Sequence, residues 1–310
     1  MKKYLSIAVL VASVTIACTQ VEEQDIVIPG RKLESFSAHI DNESSRTYAV
    51  QGADGSIQML WHEEDAIAVS DMKAIAKYNL STGMDTTDAT FTVDETSSDV
   101  AFTENAPLYA VSPYARAYFN AIDGLFLQIS TAQTHSGVDS DNDLRRNIML
   151  GSTTDNGESF DFTLAGALAR FSIAVGQDEV IKSVKMTAET VKLTGHATID
   201  WPNKKLLEAS SNSVTLNYTN APKSPYSAGY ALIAPVDFST AEGKVFYEVT
   251  TDKGIYTFCK KPAKKFKAGY IYNFPLDITK FEKVSSYHDL ADGKYCFENL
   301  HIAMVRATDS

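Results

Sequence analysis

Apolar and polar residues alternate along most of the chain beyond residue 30. From Phe36 to Ile40 the apolar side chains occupy every second position, with Ser37 and His39 between them. A strand places alternate side chains on opposite faces of a sheet, so this period of two predicts β-strands with one buried face. The same alternation recurs around Ile67 and Val69, Leu125 to Ile129, Phe160 to Leu164, Phe171 to Val175, Val214 to Tyr218 and Val245 to Val249.

Turn sequences separate these runs, and helical spacing is scarce. Asp-Gly or Asn-Gly pairs stand at Asp54-Gly55, Asp123-Gly124 and Asn156-Gly157, and such pairs favour tight hairpin turns. Tyr and Phe reach 15 each, which suits pleated, half-buried surfaces. The sequence therefore predicts an all-β protein, with antiparallel sandwiches rather than a parallel sheet.

The length of the chain and one polar stretch predict two domains. The 310 residues exceed the size at which single cores stop growing, roughly 250 to 300 residues. Residues 151–158 are rich in Gly, Ser, Thr, Asp and Asn. We expect one sandwich over 33–155, a second over 156–282, and a tail or appendage strand over 283–310. That tail could be donated to another subunit or could fold back on its own domain.

The first 32 residues have the pattern of an export signal followed by a tether. A basic start precedes an apolar run of 13 residues from Leu5 to Ala17, which is short for a membrane-spanning helix and suits a signal peptide. The small residue before Cys18 resembles the lipobox of bacterial lipoproteins, in which the cysteine is acylated. The alternative is an ordinary cleavage site with an incidental cysteine. We expect a signal peptide over 1–17 and a lipidated tether over 18–32.

A short acidic run over residues 19–25 follows Cys18. It resembles the signal that directs Bacteroidetes lipoproteins to the outer face of the outer membrane, and the alternative is a solvated tether. Either interpretation places the mature chain outside the cytoplasm. Each buried methylene of an acyl chain contributes about 0.8 kcal/mol, so several chains on one cysteine would hold the protein firmly to a bilayer.

The composition and the motifs exclude several functional classes. The net charge of −11 disfavours binding to the phosphate backbone of nucleic acids. The six His and three Cys are scattered, and phosphate loops, nucleophile elbows and His-Glu-x-x-His motifs are missing from the sequence. Asp139 to Asp143 begins like a calcium loop, but Leu144 and Leu150 replace its glycine and glutamate, so a solvated acidic loop is favoured. We therefore predict no enzyme activity, no catalytic residue, no metal site and no cofactor.

Two further features leave alternatives open. Residues 260–267 hold five lysines, which could meet an acidic neighbouring subunit or lipopolysaccharide phosphates, or could keep a sheet edge from pairing wrongly. Cys259 and Cys296 could form a disulfide that ties the tail to the second domain, or could be separate buried thiols.

Short motifs follow one another in a fixed order along the chain. In the first half they are Phe36-Ser37-Ala38, Ser45-Arg46-Thr47, Trp61, Glu64 to Val69, Tyr109 to Tyr114 and Asn147 to Ser152. In the second half they are Phe162 to Val175, Leu193-Thr194-Gly195, Leu232 to Pro235 and Lys267 to Phe274. Each motif is weak alone. The ordered set covers nearly the whole secreted chain and resembles the fimbrillin family of lipoproteins, a Bacteroidales group that includes the type V pilins.

The resemblance implies a fold and a mode of assembly. Type V pilins have two tandem transthyretin-like β-sandwiches, are exported as lipoproteins, and are cut by an arginine-specific protease after their first strand. A strand from another subunit can then fill the groove that is exposed. Here Arg46-Thr47 ends the polar loop after the Phe36 to Ile40 strand and matches the processing site. The alternative for Arg46 is a surface arginine beside a strand, and Arg31 is a second candidate that we expect to be more exposed.

The resemblance also implies a function at the cell surface. The chain would be a structural or accessory subunit of a fimbria-like filament that mediates adhesion, lipid-anchored in the outer membrane. Its partners would be other fimbrial subunits, including copies of itself, and a ligand on a host or bacterial surface. The competing hypothesis is a non-polymerising surface lipoprotein that binds a glycan or host ligand. For such binding Trp201 is the better surface candidate, since Trp61 is expected to cap a sandwich end, with Asp65 bonded to the turn before it.

Overall fold

The computed structural model describes residues 30–41, 50–51, 57–138, 145–153, 155–176, 179–220, 226–240, 242–259, 262 and 264–279. Strands β1–β12 span Ser35–Ile40, Val50–Gln51, Ile57–Gln58, Ala66–Ser70, Ile75–Thr82, Asp88–Val93, Tyr109–Ser112, Ala117–Asn120, Gly124–Ile129, Ala132–His135, Met149–Ser152 and Ser159–Leu164. Strands β13–β23 span Ala167–Ala174, Ile181–Ala188, Thr194–Asp200, Lys205–Ser211, Ser213–Tyr218, Tyr226–Ile233, Val236–Asp237, Val245–Thr251, Ile255–Cys259, Lys265–Phe266 and Ile271–Asp277. Short 3₁₀ helices span Glu95–Ser97 and Tyr114–Arg116.

Six strands of the N-terminal half and β12, which follows residue 155, form one closed sheet. Their order around the sheet is β1-β12-β11-β7-β4-β5-β6, and β6 returns to pair with β1. The apolar residues of the alternating pattern point inward, as the sequence predicts: Phe36, Ala38 and Ile40 are buried while their neighbours in β1 are exposed. The sequence predicts an antiparallel β-sandwich here, and in the structure the seven strands close on themselves.

Two further sheets share the second core. A sheet of order β10-β17-β14-β20-β21 packs against a sheet of order β18-β13-β23, and side chains of both meet in one buried cluster. Among them Phe171, Val184 and Val249 are fully buried. The structure is therefore nearly all β, which confirms the all-β part of the prediction. Within the described ranges, no helix has both the length and the hydropathy needed to cross a membrane.

A four-stranded sheet connects the two halves of the chain. Its order is β16-β15-β9-β8, so strands from both halves pair within it. Strand β10 also pairs in parallel with β17, and β12 pairs with β1 and β11. Strand pairing thus continues across residues 155 and 156, and the domain limits expected from the sequence stay a prediction.

The three-stranded sheet is buried on both of its faces. Along β13, Ala167 and Ala169 belong to the second core, whereas Leu168 between them belongs to the first. Leu232 of β18 and Ile271 of β23 also contact the first core. Sheets covered on both faces carry continuous apolar runs instead of alternation, which explains the run from Ala165 to Ala169.

A buried carboxylate orders the turn between β4 and β5. Asp71 is 7% exposed and accepts hydrogen bonds from the backbone N–H groups of Lys73 at 2.9 Å, Ala74 at 2.7 Å and Thr103 at 2.7 Å. Burial raises the pKa of the Asp71 carboxyl, but the three N–H donors lower it further, so that the pKa lies below its usual value. The ionised carboxylate thereby joins this turn to the segment after the first 3₁₀ helix.

We expect Asp71→Asn to lower the free energy of unfolding by about 1–3 kcal/mol at pH 7, because a buried donor loses its charged acceptor. The folded pKa is depressed, so the stability from ionisation is complete above the unfolded pKa of about 3.9 and is lost as the pH falls through the folded pKa. Urea denaturation from pH 7 to pH 3 should show the gap between wild type and variant narrowing below about pH 4.

Asp99→Asn is the matched control, since its carboxylate is fully exposed in an ion pair with Lys32. It should stay within about 0.5 kcal/mol of wild type. Equal effects of both variants at pH 7 would contradict the role assigned to Asp71.

Candidate functional site

The first strand, β1, lies between two strands that are distant from it in the sequence. We call this position of β1, between β6 and β12, the seam. Residues Ser35 to His39 pair antiparallel with β6, and residues Ser37 to Ile40 pair in parallel with β12. Backbone bonds extend the seam at both ends, from Val93 N to Glu34 O at 2.9 Å and from Asp41 N to Phe162 O at 2.8 Å. Strand β1 therefore satisfies backbone groups of both neighbours and closes the sheet.

Aromatic rings line the floor beneath this seam. The ring of Phe36 lies 4.9 Å from that of Tyr78, 5.6 Å from that of Phe91 and 4.8 Å from that of Phe160, measured between centroids. Phe91 and Phe160 are fully buried, and Phe36 is 3% exposed. Rings packed in this way dominate the energy of a core, so removal of β1 would leave a large apolar surface open to water.

Polar contacts fix the seam at its borders. The hydroxyl of Tyr78 donates to the carbonyl of Leu33 at 2.8 Å, just before β1. Burial raises the pKa of the Tyr78 hydroxyl well above its usual value, so it remains a donor. On the outer face His39 Nδ1 lies 2.8 Å from a carboxylate oxygen of Asp88. That hydrogen bond lowers the pKa of the Asp88 carboxyl.

Trp61 lies inside the closed sheet, ahead of β4. It is fully buried, packs edge-on against Phe91 at 4.9 Å and Phe162 at 5.3 Å, and donates from Nε1 to the carbonyl of Thr87 at 3.0 Å. The sequence analysis expects Trp61 to cap a sandwich end, whereas its indole lies among the rings of the core, before β4 begins at Ala66. The indole is thus a core residue and offers no surface for a ligand.

Asp65 has the role predicted for it and one that the sequence does not reveal. Its Oδ2 accepts a hydrogen bond from the backbone N–H of His62 at 2.8 Å, within the turn before β4. Its Oδ1 accepts from Arg145 Nη2 at 2.6 Å, and both side chains are largely buried. This ion pair ties the entrance of β4 to the segment before β11.

Several residues singled out by the sequence lie outside the described residues. These are the lipidation candidate Cys18, the processing candidates Arg46 and Thr47, and Cys296 with the tail 283–310. Cys259 is buried at the end of β21. The predictions made for lipidation, for processing and for a disulfide stay predictions.

Arg31, the second processing candidate, is held by several hydrogen bonds before β1. It is only partly exposed, and its backbone pairs with Phe102 through bonds of 2.8 Å and 2.9 Å. Its guanidinium donates to the carbonyl of Ala106 at 3.3 Å. A protease needs an extended, accessible segment, so these contacts disfavour Arg31 as a processing site. Its exposure relative to Arg46, which lies outside the described residues, stays a prediction.

The solvent exposure of the aromatic residues also differs from what the sequence predicts. Trp201 is half-buried, with its ring 5.1 Å from that of Tyr109. On the four-stranded sheet Tyr118 stacks with Phe126 at 5.8 Å, and His196 lies edge-on to Phe126 at 4.8 Å. This aromatic row arises from pairing between β8, β9 and β15, so the local sequence carries no signal for it.

A basic cleft lies at the end of the seam. It has a volume of about 610 Å³ and is bordered by Asp41 after β1, Thr163 to Ala165, the β15–β16 turn, β19, β22 and Tyr270. Four lysines line it: Lys204, Lys205, Lys265 and Lys267. The sequence signals only the cluster that includes Lys265 and Lys267. Among the residues described, no group of three or more His, Cys, Asp or Glu could hold a metal ion.

Comparisons with known proteins give structural neighbours only. No family model and no curated protein matches the chain. A structure from Bacteroides ovatus described as a candidate cell adhesion protein is 16% identical, with 79% of this chain and 93% of that chain covered and a TM-score of 0.49. A second, from Bacteroides uniformis, is 14% identical over 80% and 93% with a TM-score of 0.43. The tip fimbrial protein Mfa3 from Porphyromonas gingivalis is 13% identical over 78% and 95%, with a TM-score of 0.30. Scores this low do not establish a common fold, so the function must be argued from this chain's own residues.

We expect Phe36→Ala to lower the free energy of unfolding by about 3–5 kcal/mol, because it opens a cavity among three aromatic rings. Ser35→Ala, in the same strand on the exposed face, is the matched control and should change stability by less than about 0.5 kcal/mol. Urea denaturation followed by tryptophan fluorescence measures both, since Trp61 lies in the same core. Equal stability of the two variants would mean that β1 does not close the sheet.

Proposed function

We propose that this chain is a fimbrillin-like lipoprotein of the cell surface, a structural or accessory subunit of a fimbria-like filament that assembles by strand addition and mediates adhesion. The observation that carries the proposal is the seam of β1. One short strand with three buried side chains completes a closed sheet. Two tandem transthyretin-like domains, with outer-membrane attachment through lipid on Cys18, belong to this proposal. Strand exchange itself needs no catalytic residue.

The physics of the seam suits strand exchange. Removal of β1 would leave unpaired N–H and C=O groups on β6 and β12 above an apolar floor. Such an open groove is costly in water until an extended segment with alternating apolar residues enters it. The pattern of β1, with Phe36, Ala38 and Ile40 inward, defines what an incoming strand must supply. A strand from another subunit could meet the same requirement.

The position of Arg46 favours it over Arg31 as the processing site. Arg46 follows β1 in the chain, whereas Arg31 precedes it. A cut after Arg46 would separate β1 from every later strand, so that only non-covalent contacts would hold it in the seam. A cut after Arg31 would leave β1 covalently joined to the rest of the sheet. The proposed release of β1 therefore requires cleavage at Arg46-Thr47.

The second candidate function is a non-polymerising surface lipoprotein that binds a ligand. The observation that favours it is the basic cleft, which is concave and lined by charged side chains. Its volume lies within the range of about 300–1,000 Å³ that is typical of small-molecule sites. The two functions are compatible, since the cleft borders the seam only at its end, where Asp41 follows β1.

We expect limited digestion of the full chain with an arginine-specific protease to cut after Arg46 and to give a ladder of oligomers on a gel run without boiling. Released β1 leaves a groove that a strand from another copy can fill. Mass spectrometry should find a new N-terminus at Thr47. Arg46→Ala should remain monomeric, and Arg31→Ala, the matched control, should assemble like wild type.

Two results would contradict this mechanism. A ladder that forms equally well with Arg46→Ala would mean that assembly does not depend on release of β1. Monomers that persist after complete cleavage at Arg46 would favour the non-polymerising alternative.

A further inference from the structure

The basic cleft gathers side chains from parts of the chain that are far apart in sequence. Lys204 and Lys205 come from the turn into β16, whereas Lys265 and Lys267 come from β22 and the residue that follows it. The short pairing of Val236 with Phe266 and of Asp237 with Lys265 holds the second pair in place. The fold therefore brings to the basic cleft two pairs of lysines that are far apart in the sequence.

The ammonium groups of this cleft are not neutralised by ion pairs. Within the described part of the chain, none of the four lysines has a carboxylate oxygen within 4.0 Å. The Nζ of Lys204 donates to the backbone carbonyl of Asp161 at 3.2 Å, which fixes its position and leaves its charge uncompensated. The Nζ of Lys267 lies 5.8 Å from the centre of the Tyr270 ring.

The carboxylates of the cleft are fewer than its lysines and are partly engaged. Asp237 accepts from the backbone N–H of Ser239 at 2.9 Å and from its hydroxyl at 2.5 Å. The hydrogen bond from Ser239 lowers the pKa of the Asp237 carboxyl, and the charge of Lys265 adds to this. Asp41 is the other carboxylate of the lining. Four cations against two anions give the cleft an excess of two positive charges, in a chain whose net charge is −11.

The lining also offers groups that suit a sugar ring. Tyr270 is half-buried and is the aromatic residue of the lining that a ligand could contact. Phe266 is 2% exposed and stacks on Tyr272 at 4.0 Å, so its ring belongs to the second core. The amide of Asn203 donates to Asp200 at 2.8 Å, and its oxygen remains an acceptor. Sites for small ligands combine such apolar surface with a few polar groups that fix orientation.

We propose that this cleft binds a short acidic saccharide, with the four lysines contacting its carboxylate or sulfate groups and Tyr270 packing against a ring face. The proposal rests on the proposed surface function for its biological meaning, since an adhesive protein needs a ligand. The concave shape and limited volume favour a small anionic ligand over a flat protein surface. The excess positive charge is local, so a short ligand meets it without approaching the acidic remainder of the chain.

The test is calorimetric titration of the full chain in a non-ionic detergent with three probes: a heparin tetrasaccharide, a tetragalacturonate and neutral cellotetraose. We expect saturable binding of at least one acidic probe, no binding of the neutral probe, and weaker binding as the salt concentration rises. The double variant Lys204→Gln/Lys265→Gln should bind about tenfold more weakly. Asp41→Asn removes a negative charge from the cleft and should bind more tightly, by about twofold to threefold.

The matched control is Lys182→Gln/Lys192→Gln, which changes the net charge equally at two exposed lysines outside the cleft. It should bind like wild type. If both double variants lost affinity for the acidic probe equally, the loss would reflect net charge alone, and the proposal would be overturned. No binding of either acidic probe, or tighter binding of a tetraglutamate peptide than of either, would overturn the saccharide assignment. These measurements need no cleavage and no assembly, so their failure and the failure of strand exchange are separate results.

Discussion

The structure depends on the pairing of its first strand with two strands that come much later in the chain. Strand β1 pairs with β6 on one side and β12 on the other, and this closes a sheet that would otherwise have two open edges. Closure satisfies backbone groups that would invite wrong partners. It also requires long-range contacts, whose entropic cost is met by burial of Phe36 against three rings. The first strand of the sheet is therefore held by contacts of Phe36 with three aromatic rings.

The two cores are coupled through one shared layer. The sheet of β13, β18 and β23 contributes Leu168 to the first core and Ala169 to the second. Strands β9 and β10 pair with β15 and β17 of the second half. A change of side-chain packing in one core therefore affects the other core through a packed layer rather than a flexible linker. Elements of both halves border the cleft, while all four of its lysines come from the second half.

The sequence predicts the features that depend on local periodicity and misses those that depend on register. Alternation correctly assigns the buried face of β1 and the all-β class, and the position of Asp65 after a turn predicts its backbone bond. The convergence of Lys204 with Lys265, and the row formed by Tyr118, Phe126 and His196, depend on which strands pair. Such pairing is set by the packing of the whole molecule. The burial of Trp61 follows from closure of the sheet, which periodicity alone does not reveal.

The seam and the cleft share one residue, and this joins the two proposed roles. Asp41 follows β1 directly and lines the cleft, and it precedes Arg46, so a strand released by cleavage there carries Asp41 away. The cleft would then keep four lysines against one carboxylate, and its attraction for an anion would rise. Linkage is reciprocal: a ligand that binds the cleft more tightly without Asp41 must favour the state in which β1 has left. Strand release and ligand binding in this molecule would therefore reinforce each other.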